Sequence, residues 1–167
     1  GDKLTDSDAG LSVNAIAPYL WWVSDKKIWG GNYSIFVSPS WANNSLEAPV
    51  LGLSSDTATG AGDLYIQPIN LGWHTDNADY MAGLGVFAPT GRYAVGASDN
   101  IGLGMWSYEL YGGTTVYLNE DRTWSFAALA FYETHGFKED SDVKVGDILT
   151  IEGGLSRSFA NGAAAFG

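Results

Sequence analysis

Cysteine is absent from this 167-residue chain, so neither a disulfide nor a thiolate metal site can be part of its chemistry. Positive charge is scarce. Eight Lys and Arg stand against nineteen Asp and Glu, a formal charge of -11, and both nucleic acid and an anionic lipid surface would repel such a chain. Charged residues of either sign make up only 16%, below the roughly 25% of ordinary soluble domains. No apolar run reaches the roughly 18 residues that a membrane helix needs. The longest, near Ala15 to Val23 and Phe126 to Phe131, are strand-sized, which excludes a helical membrane protein. Nor does an apolar segment follow Gly1-Asp2-Lys3, as a signal peptide would require.

What the chain does have is glycine, 22 residues, and aromatic side chains, 14%. These fall into a period-two pattern. Between Met105 and His135, Trp106, Tyr108, Leu110, Val116 and Leu118 share one parity, and Ser107, Glu109, Tyr111, Gly113, Thr115 and Tyr117 the other. After Asn119-Glu120-Asp121-Arg122, Trp124, Phe126, Ala128, Ala130 and Tyr132 alternate with Ser125, Ala127 and Glu133. That predicts a β-hairpin whose arms exceed the usual five or six residues and suit a tilted strand crossing a bilayer.

The same alternation predicts further strands. Val13, Ala15, Ala17, Tyr19, Trp21 and Val23 start the first, and Ser24-Asp25-Lys26-Lys27 reads as a tight turn. Trp29, Tyr33, Ile35, Val37 and Trp41 mark the return, followed by a long Gly/Ser/Thr-rich connection from about Ala42 to Gly62. From Asp63 to His74 the apolar parity switches across Gln67-Pro68, which predicts a bulge. Tyr80 to Ala88, then Leu149 to Ser158, then the start of an eighth strand at Ala163 complete the set, with Asn161-Gly162 as the last turn. The expectation is one all-β domain over residues 1–167, an antiparallel up-and-down barrel of about seven strands and part of an eighth, preceded by a polar arm at 1–11. Seven and a part do not meet the even count of bacterial barrels, so the chain reads as an incomplete barrel. Its connections alternate short and long, which places every short turn at one end, as in outer-membrane barrels.

On this reading Trp21, Trp29, Trp41, Trp73, Tyr80, Trp106 and Trp124 form interfacial aromatic girdles. Glu109, Glu133 and Glu152 share the polar parity of three consecutive strands and are expected as one carboxylate cluster facing the lumen, with Tyr111 and Arg157 as further lumen candidates. An Asn119/Thr123 register would set Glu109 opposite Glu133, with Arg157 or Arg92 screening them. A soluble lipocalin-like barrel also meanders, with apolar residues inside; parity alone does not say which face meets lipid.

Catalytic motifs are lacking. Gly83-x-Gly85 lies inside a strand, where its glycines read as packing room rather than as a dinucleotide loop. There is no Gly-x-Ser-x-Gly elbow. His74 and His135 are the only candidate bases and sit at strand ends, and no metal-ligand spacing joins them to Glu133. Asp6-x-Asp8-x-Gly10 lacks the later ligands of a calcium loop. No enzyme activity, cofactor or metal is expected, and the oligomeric state is left open.

Gly62-Asp63-Leu64, Gln67-Pro68, Leu71-Gly72-Trp73, Ala88-Pro89-Thr90-Gly91-Arg92-Tyr93, Asn100-x-Gly102, Trp106, Glu109 and Gly146-Asp147 together give the chain a resemblance to a known family. From about Val13 onward, and in the same order, it resembles the bacterial outer-membrane proteins named for the meta-pathway of phenol degradation. The resemblance implies a Gram-negative outer-membrane β-barrel in contact with lipid, thought to help small hydrophobic or aromatic compounds cross, and it supplies no catalytic residues. Members extend further at both ends, which implies strands beyond those present here.

Overall fold

The computed structural model describes residues 10–48, 53–159 and 162–167. The acidic arm, with its Asp6-x-Asp8-x-Gly10 run, lies outside the described residues except for Gly10, as does Asn161 of the last turn. Among the described residues every regular element is a β-strand: β1 Gly10–Ile16, β2 Leu20–Ile28, β3 Gly31–Ser38, β4 Trp41–Ala48, β5 Leu53–Ala61, β6 Leu64–His74, β7 Ala78–Ala88, β8 Ser107–Tyr117, β9 Trp124–His135, β10 Ile148–Ser158 and β11 Ala164–Phe166. All pairings are antiparallel.

Eleven strands reduce to eight chain traverses, because three are broken midway. Pro18 separates β1 from β2 and Pro39 separates β3 from β4, since proline cannot donate to a ladder. Gly62-Asp63 separates β5 from β6. The main sheet runs β11-β10-β9-β8-β7-β6-β3-β2 and does not close; the outer halves form a three-stranded sheet β1-β4-β5. Seven long traverses and a short eighth make an incomplete meander barrel.

Two local expectations are corrected. The connection expected from Ala42 to Gly62 is mostly paired strand, β4 against β5 and β1 against β4. Its polar residues take part through an amide and hydroxyl ladder, Asn14 Nδ2 to Asn43 Oδ1 and Asn43 Nδ2 to Thr59 Oγ1, each 3.2 Å. A hydrophobicity pattern cannot register such a ribbon. The turn expected at Ser24 to Lys27 is instead a register shift within β2, between Val23 and Lys27. Reversal comes later, at Trp29 and Gly30, whose φ values of 48° and 76° give the left-handed pair a two-residue hairpin favours. The bulge expected at Gln67-Pro68 is present, with the register shifting between Ile66 and Ile69.

The faces of the main sheet differ in kind. On β8, Ser107, Glu109 and Tyr111 are buried while Tyr108 and Leu110 are exposed. The exposed set continues as Trp106, Leu118, Trp124, Phe126, Tyr132, Leu149, Ile151 and Leu155. Large apolar side chains therefore cover the outside, and the carboxylates, hydroxyls and glycines lie on the hollow side beside a set of aromatic ones, whereas a lipocalin-like barrel would turn its polar parity outward.

Candidate functional site

The hollow side is organised in two tiers. Toward the long connections, β8 and β9 pair with Ser107 opposite His135, Glu109 opposite Glu133 and Tyr111 opposite Phe131. Tyr65 Oη reaches across from β6 and donates to Glu109 Oε1 at 2.5 Å, while Gln67 Nε2 donates to Tyr65 Oη at 2.8 Å. Glycine makes this possible. A Cβ on Gly85 of β7 would come within 2.7 Å of Tyr65 Oη and 2.9 Å of Glu109 Oε1, and one on Gly83 within 2.5 Å of the Ile69 carbonyl, with the Tyr111 hydroxyl closer still. The hydroxyl end of each tyrosine thus lies over a glycine of β7.

An aromatic row extends from this tier. Tyr65 stacks on Phe87 with centroids 4.3 Å apart, Phe36 meets Tyr65 edge-on at 6.1 Å, and Tyr19 stacks on Phe36 at 5.3 Å. Among the described residues two polar atoms here have no hydrogen-bond partner, Tyr111 Oη and His135 Nε2, although their residues are only 3% and 6% exposed. His135 Nδ1 is hydrogen-bonded to Ser107 Oγ at 2.8 Å.

Nearer the short turns lies an open cavity of about 760 Å³, bounded among others by Trp21, His74, Asp79, Met81, Leu129 and Glu152. Asp79 joins its polar side. His74 Nδ1 lies 2.9 Å from Asp79 Oδ1, and Tyr117 Oη donates to Asp79 Oδ2 at 2.5 Å. Below it Arg122, its guanidinium 4.6 Å from the Tyr117 ring centre, donates to the carbonyls of Thr75 and Asp76 and so ties two short turns together.

Three expected site residues lie elsewhere than expected. Glu152 is opposite Leu129, whereas Glu133 is opposite Ile148, so Glu152 sits about 13 Å further along the wall and the three glutamates form two tiers rather than one cluster. Arg157 is outside: it pairs with Trp124 across the ladder, and its guanidinium lies 5.1 Å and 4.9 Å from the Trp124 and Phe159 rings. Arithmetic on the strand places it on the Leu155 parity, and only its charge suggested the lumen. Trp21, expected in the outer girdle, borders the cavity and pairs with Phe36. Its neighbour Trp22 turns to the outer face against Tyr33, 6.2 Å between rings; both parities of β2 are apolar, so alternation could not separate them. Arg92 does not screen the glutamates either, since it belongs to the rim.

The remaining aromatic residues fall at two levels. Trp29 lies in the first short turn, Trp73 pairs with Tyr80, and Trp124 opens β9; Trp41 opens β4 and Trp106 precedes β8 at the opposite end.

Sequence reading missed the rim. Asp63 accepts from Gly91 N at 3.0 Å and from Leu103 N at 2.8 Å, one carboxylate oxygen for each. Arg92 donates to the carbonyls of Ala58 and Asp99 at 2.7 and 2.9 Å and lies 3.4 Å from the Asp99 carboxylate. Asn100 holds both the N–H and the carbonyl of Ala94. These are the motif residues of the resemblance, and a cluster of Gly, Asp, Arg and Asn at strand ends is the signal that could have marked them as loop architecture. Among the described residues no group of three His, Asp or Glu side chains is placed to hold a metal ion.

No curated protein and no solved structure matches the chain. A family model does, that described as "Putative MetA-pathway of phenol degradation", over residues 1–167. With an all-β open meander and that match over its whole length, the chain belongs to the family named for the meta-pathway of phenol degradation.

Proposed function

We propose that the chain forms the wall of a bacterial outer-membrane barrel through which small hydrophobic or aromatic molecules pass without catalysis. The observation that carries this reading is the orientation of the sheet. Its outer face presents large apolar residues such as Leu110, Leu149 and Ile151 at 57 to 71% exposure, a surface suited to lipid. Its inner face holds Asn32, Ser34, Asn70 and Glu152 around an open cavity, with Glu109 in the tier toward the long connections. The two aromatic levels fit the headgroup regions on either side.

A test is dye entry across an asymmetric bilayer with lipopolysaccharide in its outer leaflet. Vesicles carrying the chain should take up the apolar dye N-phenyl-1-naphthylamine several-fold faster than empty ones. Equal rates would overturn the proposal.

One observation favours a second reading, hydrolysis, namely the Ser107–His135 hydrogen bond. Ser107 is 1% exposed, and the hydrogen bonds among the described residues place no carboxylate on His135. A nucleophile needs access to substrate and its base an orienting partner, so passage is the better account. Labelling of Ser107 by a fluorophosphonate would reverse that preference.

A further inference from the structure

We propose that the inner wall selects organic cations, that is, ligands pairing a positively charged nitrogen with an apolar body. The inference rests on reading the hollow side as a lumen.

Its first support is the distribution of charge. Glu109 and Glu133 face each other across the β8–β9 ladder, an arrangement that costs stability unless a positive charge joins it. Among the described residues the only ion pairs are His74–Asp79 and Arg92–Asp99, so no Lys or Arg pairs with Glu109, Glu133 or Glu152. The arginines are committed elsewhere, Arg92 to the rim, Arg122 to the short turns and Arg157 to the outer face. Carboxylates therefore recur along the wall, at the Glu109/Glu133 tier and again at Glu152 and Asp79 beside the cavity, with no arginine between them.

The second support is independent of charge. Tyr65, Phe87 and Phe36 form a continuous aromatic row next to Glu109, and an aromatic face beside a carboxylate is the chemistry that holds ammonium groups. Tyr111 Oη and His135 Nε2, unpartnered among the described residues and in residues more than nine-tenths buried, sit in the same tier as polar groups whose hydrogen-bonding capacity the protein leaves unused. Below, the cavity of about 760 Å³ has Trp21, Met81 and Leu129 for an apolar body and Glu152 for a charge. A neutral hydrocarbon would use the aromatic row and leave the carboxylates opposed, whereas an anion would add to their repulsion.

The experiment compares three probes of one shape on the chain reconstituted in lipid vesicles, with empty vesicles as the blank: benzyltrimethylammonium, benzyl alcohol and benzenesulfonate. Permanent charges keep the first and third from crossing bare lipid. At low salt the cation should enter on the order of 10-fold faster than the anion, as one-sign clefts concentrate their counter-ions. The ratio should fall toward one in the triple variant Glu109→Gln, Glu133→Gln, Glu152→Gln. Should that variant fail to fold, the unmodified chain still decides: about 1 M salt, where screening acts within about 3 Å, should remove most of the preference. Equal entry of all three probes would overturn the inference and leave the passage reading standing. Entry of none would overturn both. A cation preference surviving the triple variant and high salt would place selectivity elsewhere and overturn the inference alone.

Discussion

The outer face can be tested at a single residue, Ile151. It is 71% exposed, opposite Ala130, which is in turn opposite Gly112. Gly112 is midway between Trp106, at one aromatic level, and Leu118, whose N–H bonds the Trp124 carbonyl at the other. At about 3.3 Å per residue each half spans about 20 Å along the strand, or about 15 Å of depth at a tilt near 40°. On the proposed membrane placement Ile151 then sits at the centre of a slab about 30 Å thick, matching the hydrocarbon core of a bilayer. Ile151→Arg should cost about 2 to 4 kcal/mol there. Val143→Arg is the control, because Val143 is also exposed, at 56%, but lies in the connection before β10; it should cost about nothing. Urea titration of folding into lipid vesicles measures both. Similar costs for the two variants, or a cost at Ile151 under about 0.5 kcal/mol, would refute the placement of this face in lipid.

Other perturbations probe the rim, the wall and the third long connection. Asp63→Ala removes the acceptor for two backbone N–H groups and should destabilise by about 1 to 3 kcal/mol, the cost of one unmet group, because Gly91 N is part-buried while the exposed Leu103 N can turn to water; the same titration shows it, with Asp63→Asn expected to lose less. Gly83→Ala sets a methyl 2.5 Å from the Ile69 carbonyl and against the Tyr111 hydroxyl, an overpacking worth about 1 to 3 kcal/mol, and a change in tyrosine fluorescence should accompany it. At Asp147, just before β10, hydrogen bonds from Tyr132 and Thr134, then the charge of Lys144, hold the carboxyl below its ordinary value of 3.8. Its stabilising contribution is therefore present above that value and is lost as pH falls through the depressed one. Asp147→Asn should narrow the difference in stability between pH 6 and pH 3, as read from urea midpoints.

The long strands β7 to β10 were legible in the sequence for a physical reason: one face is large and apolar and the other carries the polar and small residues, so side-chain chemistry repeats with the period of the backbone. The β8–β9 register could be read as well, because Asn119 and Thr123 close their own turn, Asn119 Nδ2 to Thr123 Oγ1 at 2.7 Å, and every later pair follows from it. Legibility fails where alternation carries no contrast. On β2, Leu20, Trp21, Trp22 and Val23 are apolar at both parities, and on β4 and β5 asparagine, serine and threonine are polar at most of them.

The inner wall was legible as far as parity reaches, which brings out Glu109, Glu133 and Tyr111. Depth along the strand was another matter. Glu152 falls to a lower tier because Ile148 is the residue opposite Glu133, and that follows from the irregular connection between β9 and β10, whose length sets how far β10 slides before pairing. Tyr65 was hidden because its role depends on a contact 44 residues away, permitted by glycines on a third strand.

Rim and wall are then one mechanical unit, which gives Asp63, Gly91, Arg92 and Asn100 a purpose although none of these four borders the cavity. The chain entering β8 is held on two sides. Leu103 N is fixed by Asp63 from the β5–β6 corner, while the Gly104 and Trp106 carbonyls accept from Glu139 and Gly136 of the next connection at 2.6 and 2.8 Å. Gly104 makes the entry possible, with φ at 64° and the Tyr93 ring packed where a side chain would be. Side chains alternate at each residue, so a slip of one position would turn Glu109 out to the apolar face and bring Tyr108 or Leu110 in. Tyr65 would lose its acceptor at the same step. A clasp on the entry to β8 therefore fixes which chemistry the hollow side presents, and the rim residues Asp63 and Gly104 set the register of the wall without forming its surface.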